Sequence, residues 1–140
     1  MAAIGLVVAC AAEGPPPPVF DACAPLAITG ADTATISGAE ALWSDVGVTT
    51  FGGSGGASIP LLFENGVAPE EYGLYAGSAI YMNDDLEPAQ RVIVLAHELG
   101  HAIGLVHVTD RSSVMNPGNL VVLPTADDAA TVAQRWGTCE

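Results

Sequence analysis

The apolar positions of this chain change their period several times between residues 26 and 136, and each change marks an element. "LAIT" at 26–29 is an apolar run of strand length. "DTATISGAEALWSDVG" places Ile36, Ala39, Leu42, Trp43 and Val46 at helical spacing, with Asp32 or Thr33 as the cap. "GGSGG" at 52–56 is a loop or tight turn. "ASIPLLFE" (57–64) and "SAIYMND" (78–84) are short enough for strands, and the turn-rich "NGVAPEEYG" separates them. Pro60 has no amide hydrogen for a ladder, so it suits an edge or the start of a strand. Glu87 and Pro88 open a helix that runs through "AQRVIVLAHELGHAI" to Gly104. A last helix, "TADDAATVAQRW", begins at Thr125 with Asp127 and Asp128 in its first turn. This order predicts a small α+β domain.

Composition narrows the function classes. The chain has 140 residues, half of them apolar, which is enough for one domain with its own core. Sixteen carboxylates face three basic residues, Arg91, Arg111 and Arg135, for a net charge of −13. Such a charge repels phosphate backbones and argues against nucleic acid as a partner. It fits a solvated acidic surface, attraction of cationic partners, or calcium binding.

The chain divides into an apolar segment at 1–10, a proline-rich linker at 11–22 and a domain at 23–140. The first segment ends in "LVVAC" and resembles the end of a bacterial lipoprotein signal peptide, in which Cys10 would be the lipidated residue. That implies export and attachment to a membrane through Cys10. No Lys or Arg precedes the apolar run, and an ordinary frayed terminus is the alternative. Pro15 to Pro18 form a stiff, extended spacer. With Cys10 removed, Cys23 and Cys139 remain as an even pair at the two ends of the domain. They are either a disulfide closing a long loop or two free thiols.

All three histidines of the chain lie in "HELGHAIGLVH", at 97, 101 and 107. Residues four apart share a helix face, so His97 and His101 point the same way. Val92, Leu95, Leu99 and Ile103 fall roughly opposite and should form the packing side. Gly104 can make the sharp turn that ends the helix and lets His107 swing back. Three neutral imidazoles suit zinc and leave its fourth position to water, which the metal makes acidic. Glu98, next to His97, is then the candidate general base and later general acid. This is the chemistry of peptide hydrolysis without a covalent intermediate.

The same residues, His97, Glu98, His101, Gly104 and His107, resemble the metzincin pattern H-E-x-x-H-x-x-G-x-x-H at every fixed position. "SVMNP" supplies the methionine of the turn that this family carries beneath its metal. Within the metzincins, "HELGHAIGLVHVTDRSSVMNP" and the upstream "SAIYMNDDLEP" look most like the matrixins of bacterial type, over Ser78 to about Asn119. The resemblance implies a compact zincin domain: a small twisted mixed sheet, an active-site helix, the methionine turn and a C-terminal helix. It implies a zinc endopeptidase acting on protein or peptide as a monomer. Met115 would pack under the histidines without binding metal. The edge strand near Ser78 to Met82 would hold an extended substrate by main-chain bonds. Leu120 to Leu123 are candidates for the pocket that takes the side chain after the cut.

Several positions keep two readings or depart from the family. Asn83, Asp84, Asp85 and Glu87 match a calcium-binding turn of matrixins, and equally a helix N-cap supplied by Asp84 or Asp85. Tyr72, Tyr75 and Tyr81 line the cleft or simply pack; Met82 belongs to the core. Matrixins use further histidines for a second, structural zinc, and no histidine remains here, so one zinc is expected. Pro117 stands where some metzincins place a tyrosine. Cys23 would be the only candidate to cap the zinc and hold the enzyme latent. The rival from another class is a non-catalytic, zinc-stabilised surface module. Glu98 speaks against it, because a structural site needs no base.

Overall fold

The computed structural model describes residues 17–64 and 72–139, which leaves the 1–10 segment with Cys10, the first half of the 11–22 linker with Pro15 and Pro16, and most of the 65–73 turn outside the described residues. Its elements run β1 (Leu26–Thr29), α1 (Thr33–Ser44), β2 (Ala57–Glu64), β3 (Gly73–Tyr75), β4 (Ile80–Asn83), α2 (Pro88–Ala102) and α3 (Ala126–Trp136). The four strands form one mixed sheet in the order β1-β2-β4-β3. β1 and β4 run parallel to β2, and β3 runs antiparallel to β4. The expected α+β class is the one observed.

Two expectations about the sheet are corrected. Pro60 lies in the middle of β2, a strand with a neighbour on each side. The register explains how the sheet tolerates it. Residues 57–60 of β2 pair with β1, and pairing with β4 begins only at Leu61, so the proline sits where one ladder stops and the other starts. The strand near Ser78 to Met82 is not an edge either, because β4 pairs with β2 on one side and β3 on the other. On that side the edge is β3, which the sequence pattern hid inside a turn-rich stretch. With only three residues, one of them glycine, it is too short to show a period of two.

Helix α1 begins at Asp32, whose side chain accepts the Thr35 amide, and buries Ile36, Ala39 and Trp43. It lies close on α2. A Cβ on Gly38 would come within 3.1 Å of Val92, and the Trp43 indole donates to the Ala96 carbonyl at 2.9 Å. Helix α2 starts at Glu87, not at Asp84 or Asp85, with proline in its first turn and the Gln90 side chain accepting the Glu87 amide. Arg91 pins this start. It pairs with Asp32 at 3.0 Å and donates to the carbonyls of Leu86 and Asp84.

The expected division of α2 into an apolar face and a histidine face gives way to burial on all sides. Every residue from Ile93 to Gly100 is buried, while Val92 is only partly so. The cause is that α1 covers one side, the sheet a second and the Met115 turn a third. Gly73 of β3 lies against Val94 and Glu98. Leu95, Leu99 and Ile103 are fully enclosed, joined by Leu26, Ile59, Ile80, Met82 and Trp43. The pair Cys23 and Cys139 forms a disulfide with Cα atoms 5.1 Å apart, closing a loop across 116 residues. Cys23 is therefore not a cap on the metal site.

Candidate metal centre

Three imidazoles converge at the C-terminal end of α2. The Nε2 atoms of His97 and His101 each lie 3.2 Å from Nε2 of His107. Among the described residues this is the one group of three or more His, Cys, Asp or Glu side chains whose ligand atoms come close enough for a metal ion. Nitrogens about 2.0–2.1 Å from a tetrahedral zinc are separated by roughly 3.3–3.4 Å along each edge. The donor set and spacing therefore fit zinc.

The other ring nitrogens show why the rings point this way. His97 Nδ1 is 2.6 Å from the Val114 carbonyl, and His101 Nδ1 is 2.8 Å from the Leu105 carbonyl. A carbonyl only accepts, so each Nδ1 carries the hydrogen and each Nε2 presents its lone pair to the centre. Burial, with the neighbouring imidazoles adding to it, holds His97 down to about 4 and His101 to about 3, below the ordinary histidine value of 6.5. Burial lowers His107 as well. All three are neutral at pH 7, the form that binds metal.

The chain bends back through Gly104, whose φ of +96° is a conformation that other residues resist. The last carbonyls of α2 are all used. Ile103 and Leu105 amides take Gly100, the Gly104 amide takes His101, and the Phe20 amide takes Ala102 at 2.7 Å. The Trp136 indole then donates to the Ile103 carbonyl at 2.6 Å, and Arg135 packs directly on Gly104. Phe20 and the end of α3 thus grip the turn that delivers His107.

Met115 is 2% exposed and lies under α2. A Cβ added at Gly100 would fall 2.5 Å from its sulfur, so glycine in "HELGH" is what lets the methionine reach the helix. The turn is fastened to α3 by Asp128, which is 6% exposed. Its carboxylate accepts the Ser113 hydroxyl at 2.5 Å, the Val114 amide at 3.1 Å and the Thr125 amide at 3.0 Å. Ser113 Oγ in turn accepts the Met115 amide. A continuous chain of bonds therefore runs from Asp128 through the Ser113 hydroxyl and the Met115 amide to the Val114–Met115 peptide, whose carbonyl accepts from His97. The sequence pattern places Asp128 in the first turn of the last helix but does not reveal this role. Its place at the third helical position after Thr125, a capping box, was the available signal.

Glu98 is buried at 1% exposure and lines a small cavity with His97, Val94, Tyr72, Gly73, Gly118 and Asn119. Of the three tyrosines, Tyr72 borders this cavity. Tyr75 is core, and its hydroxyl donates to the Pro18 carbonyl. Tyr81 is half-buried on β4. Leu120, Val121 and Val122 line a different and wider groove of about 800 Å³ beside His107. The 83–87 turn does not gather its carboxylates around one point. Its bonds are those of a helix entry: the Asn83 side chain accepts the Asp85 amide, and Arg91 holds the Asp84 carbonyl.

The model of the matrixin family of peptidases matches residues 81–135. The match extends past the motif through the methionine turn and nearly all of α3, so it includes Asp128. No curated protein matches the chain.

Proposed function

We propose that this chain is a zinc-dependent endopeptidase. The observation that carries it is the convergence of three Nε2 atoms beside a buried glutamate, on a helix whose Nδ1 partners fix the rings in their metal-binding form. His97, His101 and His107 would hold one zinc ion. When bound, zinc supplies Lewis acidity toward water and toward a peptide carbonyl.

Glu98 takes the proton of the attacking water as its oxygen bonds to the carbonyl carbon. It then delivers that proton to the amine as the carbon–nitrogen bond breaks, so no covalent enzyme species forms. Substrate would lie extended along β3, the edge strand whose Gly73 brings it against Glu98. Export fits the Cys23–Cys139 disulfide, which is a bond of oxidising compartments. Lipidation of Cys10, with 11–22 as a spacer, would place the domain at a membrane surface.

Quenched peptides incubated with zinc-loaded wild type, with Glu98→Gln and with chelator test this reading. Glu98→Gln should lose about 10²- to 10⁴-fold in kcat while keeping zinc. The reading fails if zinc-loaded wild type cleaves no peptide, or if Glu98→Gln cleaves as fast as wild type.

A further inference from the structure

The space beside the reacting groups is small. The cavity at His97 and Glu98 holds about 10 Å³, room for roughly one water molecule. Its floor is α2, where Val94 is 3% exposed. Its upper wall begins at Gly73, where even a Cβ would sit 2.9 Å from Val94 and 3.2 Å from Glu98. Its lower wall is Asn119, and this wall is braced. Asn119 Oδ1 accepts the amides of Val121 and Val122 at 3.0 and 2.7 Å, and Nδ2 donates to the Val122 carbonyl at 2.8 Å. The roomy apolar groove lies beyond that wall, where His107 is the one metal-centre residue among its lining.

Resting on the peptidase reading, we propose that this cavity restricts one residue flanking the scissile bond to glycine, alanine or a side chain of that size. A peptide laid along β3 turns alternate side chains toward α2. The side chain nearest Glu98 meets this cavity, and a hydrogen or a methyl group fills it. A leucine must push Val94 out of the core or break the bonds that hold Asn119. Leu120 to Val122 line the neighbouring groove and not this cavity, and the residues that set the size limit are Val94, Tyr72 and Asn119.

Peptides that differ only at the two positions flanking the bond, with Gly, Ala, Val, Leu or Phe at each, read the limit directly. At one position wild type should favour Ala over Leu in kcat/KM by about 10- to 100-fold. Val94→Ala should shrink that ratio to a few-fold, and if that variant does not fold, Tyr72→Ala opens the cavity from the opposite wall. Equal use of Leu and Ala at both positions by wild type overturns the proposal. So does a ratio unchanged in the folded, opened variant. Binding of the same peptides to zinc-loaded Glu98→Gln, followed by fluorescence anisotropy, separates the two readings. A size preference in binding without any cleavage by wild type rejects the peptidase and supports the cavity, whereas binding without a size preference rejects the cavity.

Discussion

His97 and His101 stand one turn apart on α2, yet their rings are oriented by supports of different range. His101 leans on the carbonyl of Leu105, 4 residues away, inside the turn that Gly104 makes. His97 leans on the carbonyl of Val114, 17 residues away, and Val114 is held through its own amide by Asp128 of α3. The first support is built within the turn itself, which Trp136 and Arg135 brace from outside. The second exists only when α3 is docked. One metal centre thus joins a local geometry to a tertiary one, and the two can be perturbed separately.

The largest effect should come from the bond that reinforces the local side. Cys23 follows Phe20, which holds Ala102, and Cys139 follows Trp136, which holds Ile103. Replacing both cysteines by serine removes the constraint on a 116-residue loop, worth about 4–5 kcal/mol. Denaturant unfolding measures it. A loss below about 1 kcal/mol would mean that the Phe20 and Trp136 contacts hold the turn without the bond.

A matched pair of variants comes next. Asp128→Ala leaves the Val114 and Thr125 amides short of their acceptor and should cost about 3 kcal/mol. Gly104→Ala forces a side chain into a positive-φ position already occupied by Arg135, at a cost of about 2 kcal/mol. The imidazole N–H resonances tell them apart. Asp128→Ala should disturb the Nδ1–H of His97 and leave that of His101 in place, and Gly104→Ala the reverse. If either variant disturbs both equally, the two supports are not independent.

The smallest effect lies between the two rings. In the metal-free protein all three histidines are held below 6.5, so the unfolded chain takes up protons first as the pH falls. Stability is therefore full above about pH 6.5 and declines as the pH drops toward 4 and then 3. His97 should titrate near 4 and His101 near 3. Histidine ring signals followed by NMR in the metal-free protein check the order. Titration of either ring near 6.5 would show that it is not buried as described.

Much of the site was legible because it is short-range. A helix places His97, Glu98 and His101 by its own geometry, and Gly104 followed by His107 specifies a turn back. The helices α1, α2 and α3 were legible for the same reason, their apolar spacing and caps being local. β3 was hidden because three residues next to a turn carry no period. The all-round burial of α2 was hidden because it depends on what packs against it. Pro60 misled because strand position is a property of the register, and one strand here changes partner at that residue.

The sequence by itself determined the chemistry: which nitrogens are available, on which face, and that a glutamate stands beside them, since these follow from spacing along one helix. Only the tertiary structure decided what surrounds that chemistry. It brought Asp128 under Val114, joined Cys23 to Cys139, and set β3 and Asn119 on either side of a cavity the size of a water molecule. Those partners lie far apart in the chain, and no periodicity records a contact that exists only once separate elements pack.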